Sequence, residues 1–150
     1  MGKYKLINNV LGWVVFLIAS TVYLMTMEPT ASFWDCGEFI SSAFKLEVGH
    51  PPGAPFFMLT ANLFTQLASD SATVAKMVNS MSALFSGLTI LFLFWSITHL
   101  ARKIMVKDGE EASLGQMITI MGSGLVGALA YTFSDTFWFS AVEGEVYAYS

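Results

Sequence analysis

Four stretches of this chain, residues 6–27, 48–69, 77–101 and 112–134, each run for at least 22 residues without an Asp, Glu, Lys or Arg. A helix rises ~1.5 Å per residue, so 22 residues reach ~33 Å and match a ~30 Å hydrocarbon core. A soluble helix of that length keeps a polar face, and these stretches offer almost none. Charged residues are 12% of the 150, against roughly 25% in an ordinary soluble domain. A soluble globular enzyme is excluded, and the composition points to an all-α membrane protein.

Seven basic and eleven acidic residues give a formal charge of −4, a poor match to a polyanion, so no nucleic-acid partner is expected. Cys36 is the single cysteine and excludes an internal disulfide or a thiolate-rich metal site. His50 and His99 have no HExxH or Cys companion, so the pattern indicates no metal. Lys3 and Lys5 precede the first apolar run as in a signal peptide, but its length favours an uncleaved anchor.

Residues 6–27, 77–101 and 112–134 are read as spanning helices, with Trp13 and Tyr23 towards the interfaces of the first. The fourth run is different, because His50-Pro51-Pro52-Gly53-Ala54-Pro55 blocks regular helix at its start. What remains, 56–68, is ~20 Å long and carries Asn62 and Gln66, so it is expected to lie in the interface or re-enter rather than span. A second interfacial helix is expected at about 35–47.

Loop charges test this choice. With 56–68 not spanning, Lys3, Lys5, Arg102, Lys103 and Lys107 are cytoplasmic and only Lys45 and Lys76 external. A spanning 56–68 reverses the balance. The first arrangement gives a cytoplasmic amino terminus. It puts Glu28, Asp35, Glu38, Glu47, Asp70, Asp135, Glu143 and Glu145 outside, leaving Asp108, Glu110 and Glu111 inside.

Asp35 and Glu38 sit three residues apart between aromatics. They are either a capping Asp with a capping-box-like Glu, or a chemical pair on one helical face. The His50 turn terminates one helix and starts the next, and alone says little about chemistry. His99, at the cytoplasmic end of a spanning helix, is assigned no role. Gly122-Ser123-Gly124-Leu125-Val126-Gly127 matches G-x-G-x-x-G, but no strand precedes it. Its small residues Ser123, Gly124, Gly127 and Ala128 are expected to form a helix-packing face. Glu143 and Glu145 follow the aromatic run Phe137-Trp138-Phe139. The segment is either an interface belt with a solvated acidic loop, or a piece that brings Glu145 to Asp35. The chain stops at Tyr149-Ser150 with no polar tail and is read as the amino-terminal part of a longer protein.

Asp35-Cys36-Gly37-Glu38 after the first helix, His50-Pro51-Pro52-Gly53 about fifteen residues later, and Glu145-Val146-Tyr147 after the third helix together resemble a known family. It is a family of multi-pass, mainly bacterial membrane proteins similar to the protein O-mannosyltransferases, within the GT-C glycosyltransferases. Its members commonly read D-S-G-E, so Cys36 stands where Ser is frequent. The resemblance implies a GT-C-like fold in a bacterial inner membrane. It also implies a polyprenyl-phosphate-linked, mannose-type sugar donor, and an external hydroxyl acceptor, most naturally Ser or Thr of a protein. It implies Asp35 as the base, Glu38 orienting the acceptor or tuning Asp35, and Glu145 completing the site. His50, Glu143 and Tyr147 are the candidate substrate-binding residues. No cofactor is implied beyond the lipid-linked donor, and a divalent metal is compatible. Only Lys45 and Lys76 are available outside to meet the donor phosphate. The rivals are a transporter segment, which would show ionisable groups inside its spanning runs, and a non-catalytic membrane module, which would leave Asp35 and Glu145 indifferent to substitution.

Overall fold

In the computed structural model, which describes residues 2–148 except Pro52 and Asp108, every regular element is helical. The positions of Pro52, Asp108, Tyr149 and Ser150 in the sequence reading lie outside the described residues. Six α-helices follow in order: α1 (Gly2–Thr26), α2 (Cys36–Lys45), α3 (Pro55–Thr65), α4 (Val74–Met105), α5 (Leu114–Thr132) and α6 (Asp135–Ala141). Short 3₁₀ turns occupy Ser71–Thr73 and Val146–Ala148. α1, α4 and α5 are long and apolar enough to cross a membrane, and α3 is a shorter apolar helix. The chain is therefore an all-α membrane protein, with the expected three long helices and two short ones between the first two.

The helix ends follow from local chemistry. The Asp70 carboxylate accepts from Thr73 N–H at 3.0 Å and the Thr73 hydroxyl accepts from Asp70 N–H at 3.3 Å, a capping box that leads into α4. Ser113 and Gln116 make the same reciprocal pair at α5, and the Gln116 side chain also donates to Met105 O at 2.7 Å, tying the end of α4 to the start of α5. Pro55 takes the first position of α3, where a missing N–H costs nothing. α2 closes with Leu46 at φ 55°, its N–H donating to Ala43 O and that of Glu47 to Ser42 O, a Schellman arrangement usually built on Gly.

The chain divides into two compact units. One comprises Met1–Ala19 and Gly87–Ser134. Here α1 and α4 approach at Gly12, where an added Cβ would run into Trp95 Nε1. α5 packs on α4 through Gly124, whose added Cβ would meet Thr98 Cγ2 at 2.6 Å, and through Gly127, which faces Ile97. Ala128 is fully buried, whereas nothing lies within 4 Å of a Cβ at Gly122. The glycine run is thus a packing face, as expected, built from its second and third glycines.

The other unit comprises Ser20–Ser86 and Asp135–Ser150. Its core joins Phe39, Ile40 and Ala43 of α2 to Phe57, Met58 and Ala61 of α3 and to Val74, Val78 and Met81 of α4. Asn62 is one of the polar residues that make α3 a poor spanning helix. Its amide donates to Ala43 O at 2.9 Å and Phe44 O at 3.3 Å, satisfying carbonyls at the end of α2. α6, which the sequence reading left as an aromatic belt and loop, is a helix of seven residues. Its Trp138 indole donates to Thr26 Oγ1 at 3.0 Å, and both Phe137 and Trp138 meet the fully buried Tyr23 edge-on.

Candidate functional site

All six candidate residues belong to the second unit, and Asp35 is where their two groups meet. Asp35 occupies the N-cap position of α2, and its carbonyl accepts from Phe39 N–H at 2.9 Å, but its side chain makes no capping hydrogen bond. The capping reading of this carboxylate is not what the structure contains. The side chain stays 59% exposed, with Oδ2 at 4.0 Å from His50 Nε2. Trp34, immediately before it, is held at φ 61°, a left-handed conformation that costs a bulky residue energy.

Glu38 grips His50 with both oxygens. Oε1 accepts from the His50 backbone N–H at 2.7 Å and Oε2 lies 3.1 Å from Nδ1. The backbone bond is the main influence holding Glu38 below the usual carboxylate range, with the ring bond next. An ionised Glu38 can only accept, so His50 Nδ1 donates to it and Nε2 is the ring nitrogen left towards Asp35. Ligand atoms of Asp35, Glu38 and His50 lie within 4.8 Å of one another, so these three could hold a metal ion. The His50 turn is closed by Gly53 N–H donating to His50 O at 2.9 Å, with Gly53 at φ 87°.

Asp35, Glu143, Glu145 and Tyr147 also line one cavity of about 250 Å³, with Trp34, Phe139 and Ser140 completing its wall. Glu143 and Glu145 are buried, at 5% and 8% exposure. Two devices hold them there. Glu28 N–H donates to Val142 O at 2.9 Å, anchoring the segment as it leaves α6. Gly144 then passes so close to α4 and α2 that a Cβ would meet Asn79 Oδ1 at 3.0 Å and Val78 Cγ1 at 3.2 Å. Asn79, fully buried, donates to Glu28 O at 2.6 Å and Thr30 O at 2.9 Å, linking the exit of α1 to the same place.

The buried Cys36 thiol donates to Glu145 Oε1 at 3.3 Å. Burial is the main cause pushing the Glu145 carboxyl above its ordinary value, reinforced by the charges of Glu143 and Asp35 and opposed by the thiol bond. Burial likewise pushes the Cys36 thiol far up, so it is a hydrogen-bond donor and not a nucleophile. A carboxyl with a raised affinity for protons beside an exposed carboxylate is an arrangement suited to proton transfer.

The alternative in which Glu145 approaches Asp35 is therefore the one the fold realises, and the acidic loop is neither solvated nor open. His50 and Glu38 do not line the cavity; His50 meets Asp35 outside that lining. Trp34, Ser140 and the Cys36 thiol are additions that sequence reasoning missed. Cys36 and Glu145 are 109 residues apart, so only the immediate adjacency of Cys36 to Asp35 hinted at its place.

The fold and site define a polytopic, all-α membrane protein with a carboxylate-centred pocket at the ends of its helices. Residues 35–150 match the family described as the protein O-mannosyl-transferase TMEM260 N-terminal domain, and the chain belongs to that family. It is 26% identical over 136 residues to protein O-mannosyl-transferase tmem260 of Dictyostelium discoideum, an alignment covering 90% of this chain and 14% of that protein. It is 29% identical over 134 residues to protein O-mannosyl-transferase TMEM260 of Mus musculus, covering 89% of this chain and 16% of that protein. The chain thus spans only about a sixth or less of the length of these relatives. No solved structure matches it.

Proposed function

We propose that this chain forms the acceptor-activating part of a membrane O-mannosyltransferase of the GT-C type, with the amino terminus cytoplasmic and the Asp35 site external. The chain is read as the amino-terminal part of that enzyme, in a bacterial inner membrane. The donor is a mannose-type sugar on a polyprenyl phosphate and the acceptor a Ser or Thr hydroxyl of a protein. Asp35 takes the hydroxyl proton as the oxygen attacks the anomeric carbon. The bond from that carbon to the phosphate oxygen breaks, the polyprenyl phosphate departs with the electron pair, and the sugar is inverted. Glu38 fixes His50 beside the base. Glu145, with Glu143 and Tyr147, forms the wall against which the acceptor lies.

The observation that carries this reading is the state of Asp35. It is a carboxylate at a helix start that caps nothing, faces a histidine, and also lines an acidic cavity. A purely structural module has no use for an uncommitted carboxylate in that position. A transporter segment is disfavoured because the three uncharged runs hold no ionisable side chain of the Asp, Glu, Lys or Arg type.

Replacement of Asp35 by Asn in the full-length protein tests the reading. Transfer from a polyprenyl-phosphate mannose donor to an acceptor protein in proteoliposomes is expected to fall about 10² to 10⁴-fold. The thermal unfolding midpoint should stay at the wild-type value, because no capping bond is lost. Near-wild-type transfer by D35N removes Asp35 from the chemistry.

A further inference from the structure

The first unit contains a second polar cavity, of about 460 Å³, which has no part in the carboxylate site. It lies where the start of α1 meets the end of α4, and its wall includes Tyr4, Lys5, Asn8, Trp95, His99 and Arg102. No carboxylate lines it. Among the described residues neither Lys5 nor Arg102, both of which line the cavity, forms an ion pair.

Three further observations give the cavity the character of a built site. Arg102 is held in place by the Tyr4 ring, with its guanidinium carbon 4.9 Å from the ring centroid, and Tyr4 in turn donates to Thr98 O at 3.4 Å. Arg102 Nε is a buried donor with no acceptor. The Asn8 amide oxygen is also unpartnered, and a half-turn about its last torsion would present a second donor instead. A buried arginine donor without an acceptor is costly, and it belongs to a residue that lines the cavity together with Lys5. The ligand that answers this set is an oxyanion with several acceptor atoms, for which the arginine fork is well shaped.

The surroundings indicate its source. Leu6, Phe92, Leu100 and Ile104 on the same helix ends are 58% to 86% exposed, which is the side-chain character of a surface facing acyl chains. We propose that this cavity binds the phosphate of an anionic membrane lipid, with Arg102 and Lys5 as its principal contacts and the acyl chains lying along the exposed apolar residues. A lipid-borne and a free phosphate share the same oxyanion chemistry, and only the lipid also meets the apolar rim.

The test uses the full-length protein in nanodiscs of phosphatidylcholine with or without phosphatidylglycerol, and separately in neutral detergent with inorganic phosphate. Lipid retention is read by native mass spectrometry and thermal unfolding in parallel. Wild-type protein is expected to retain phosphatidylglycerol and to unfold at higher temperature when it is present. Arg102→Gln is expected to weaken that binding roughly tenfold, the loss of one charge-assisted contact. Lys5→Gln, at an exposed position where folding is not at stake, should weaken it in the same direction. Equal retention of phosphatidylglycerol by wild type and both variants overturns the site. Stabilisation by inorganic phosphate equal to that by the lipid overturns the assignment to a lipid.

Discussion

Glu38 and Glu145 are two carboxyl groups flanking one aspartate, and their surroundings pull them in opposite directions. Glu38, held ionised by His50, contributes stability that is present above the unfolded glutamate value of about 4.3 and is lost as pH falls through its lowered folded value. Glu145 has the reverse sign. Its raised folded value means that stability is fully present below about 4.3 and declines as pH rises through the folded value. Thermal unfolding measured from acid to neutral pH should therefore show Glu38→Gln removing part of the acid-side loss. Glu145→Gln should remove part of the decline on the rising side. A shared direction for the two variants would contradict the burial of Glu145 and the His50 hydrogen bonds to Glu38 that distinguish them. The thiol adds a finer test. Cys36→Ala deletes the donor that favours ionised Glu145, so a pH–rate profile controlled by Glu145 should move to higher pH, while Cys36→Ser, which keeps a donor, should move it less.

At the scale of the helices, the glycines of α5 give two substitutions of opposite sign. Ala has a higher helix propensity than Gly by up to about 1 kcal/mol, so Gly122→Ala, with open space around its Cβ, should be neutral or stabilising. Gly124→Ala would drive a methyl group into Thr98 and Phe94 and should cost about 1–3 kcal/mol, read by thermal unfolding in detergent. Gly144→Ala belongs with the second case, because its Cβ would press on the fully buried Asn79 and shift the segment that carries Glu143 and Glu145. Much of this level was legible beforehand. Runs without charge marked α1, α4 and α5, and the prolines at 51 and 55 marked the break before α3. What was not legible depended on partners distant in sequence. Asp35 reads as a cap because caps are local, yet its side chain is turned to other uses by a histidine fifteen positions later and an acid cavity. α6 is too short for its apolar spacing to register as a period, and it forms against Tyr23 and Thr26 of α1.

For the whole molecule, α4 decides the topology. Its 32 residues reach ~48 Å, well beyond a ~30 Å hydrocarbon core, and a crossing α4 is expected to leave the segments at its two ends on opposite sides. Cysteines placed at Asp70 and Glu110 should react with an impermeant reagent from opposite faces, Asp70 from outside and Glu110 from the cytoplasm. Labelling of both from one face would discard the arrangement. The charge pattern supplies the expected order that this labelling would test, whereas the convergence of residues 35, 38, 50, 143 and 145 depends on tertiary packing that no local pattern encodes. The backbone around Asp35 adds one more implication. Phe33 and Trp34 are 83% and 88% exposed, rings of the kind that settle among lipid headgroups. On the proposed function, a proton acceptor beside these rings would reach only hydroxyls brought down to the water–lipid boundary on an extended strand. A Ser or Thr already enclosed in a folded domain would then stay out of range, and modification would become a race against the folding of the acceptor, settled while its chain is still emerging.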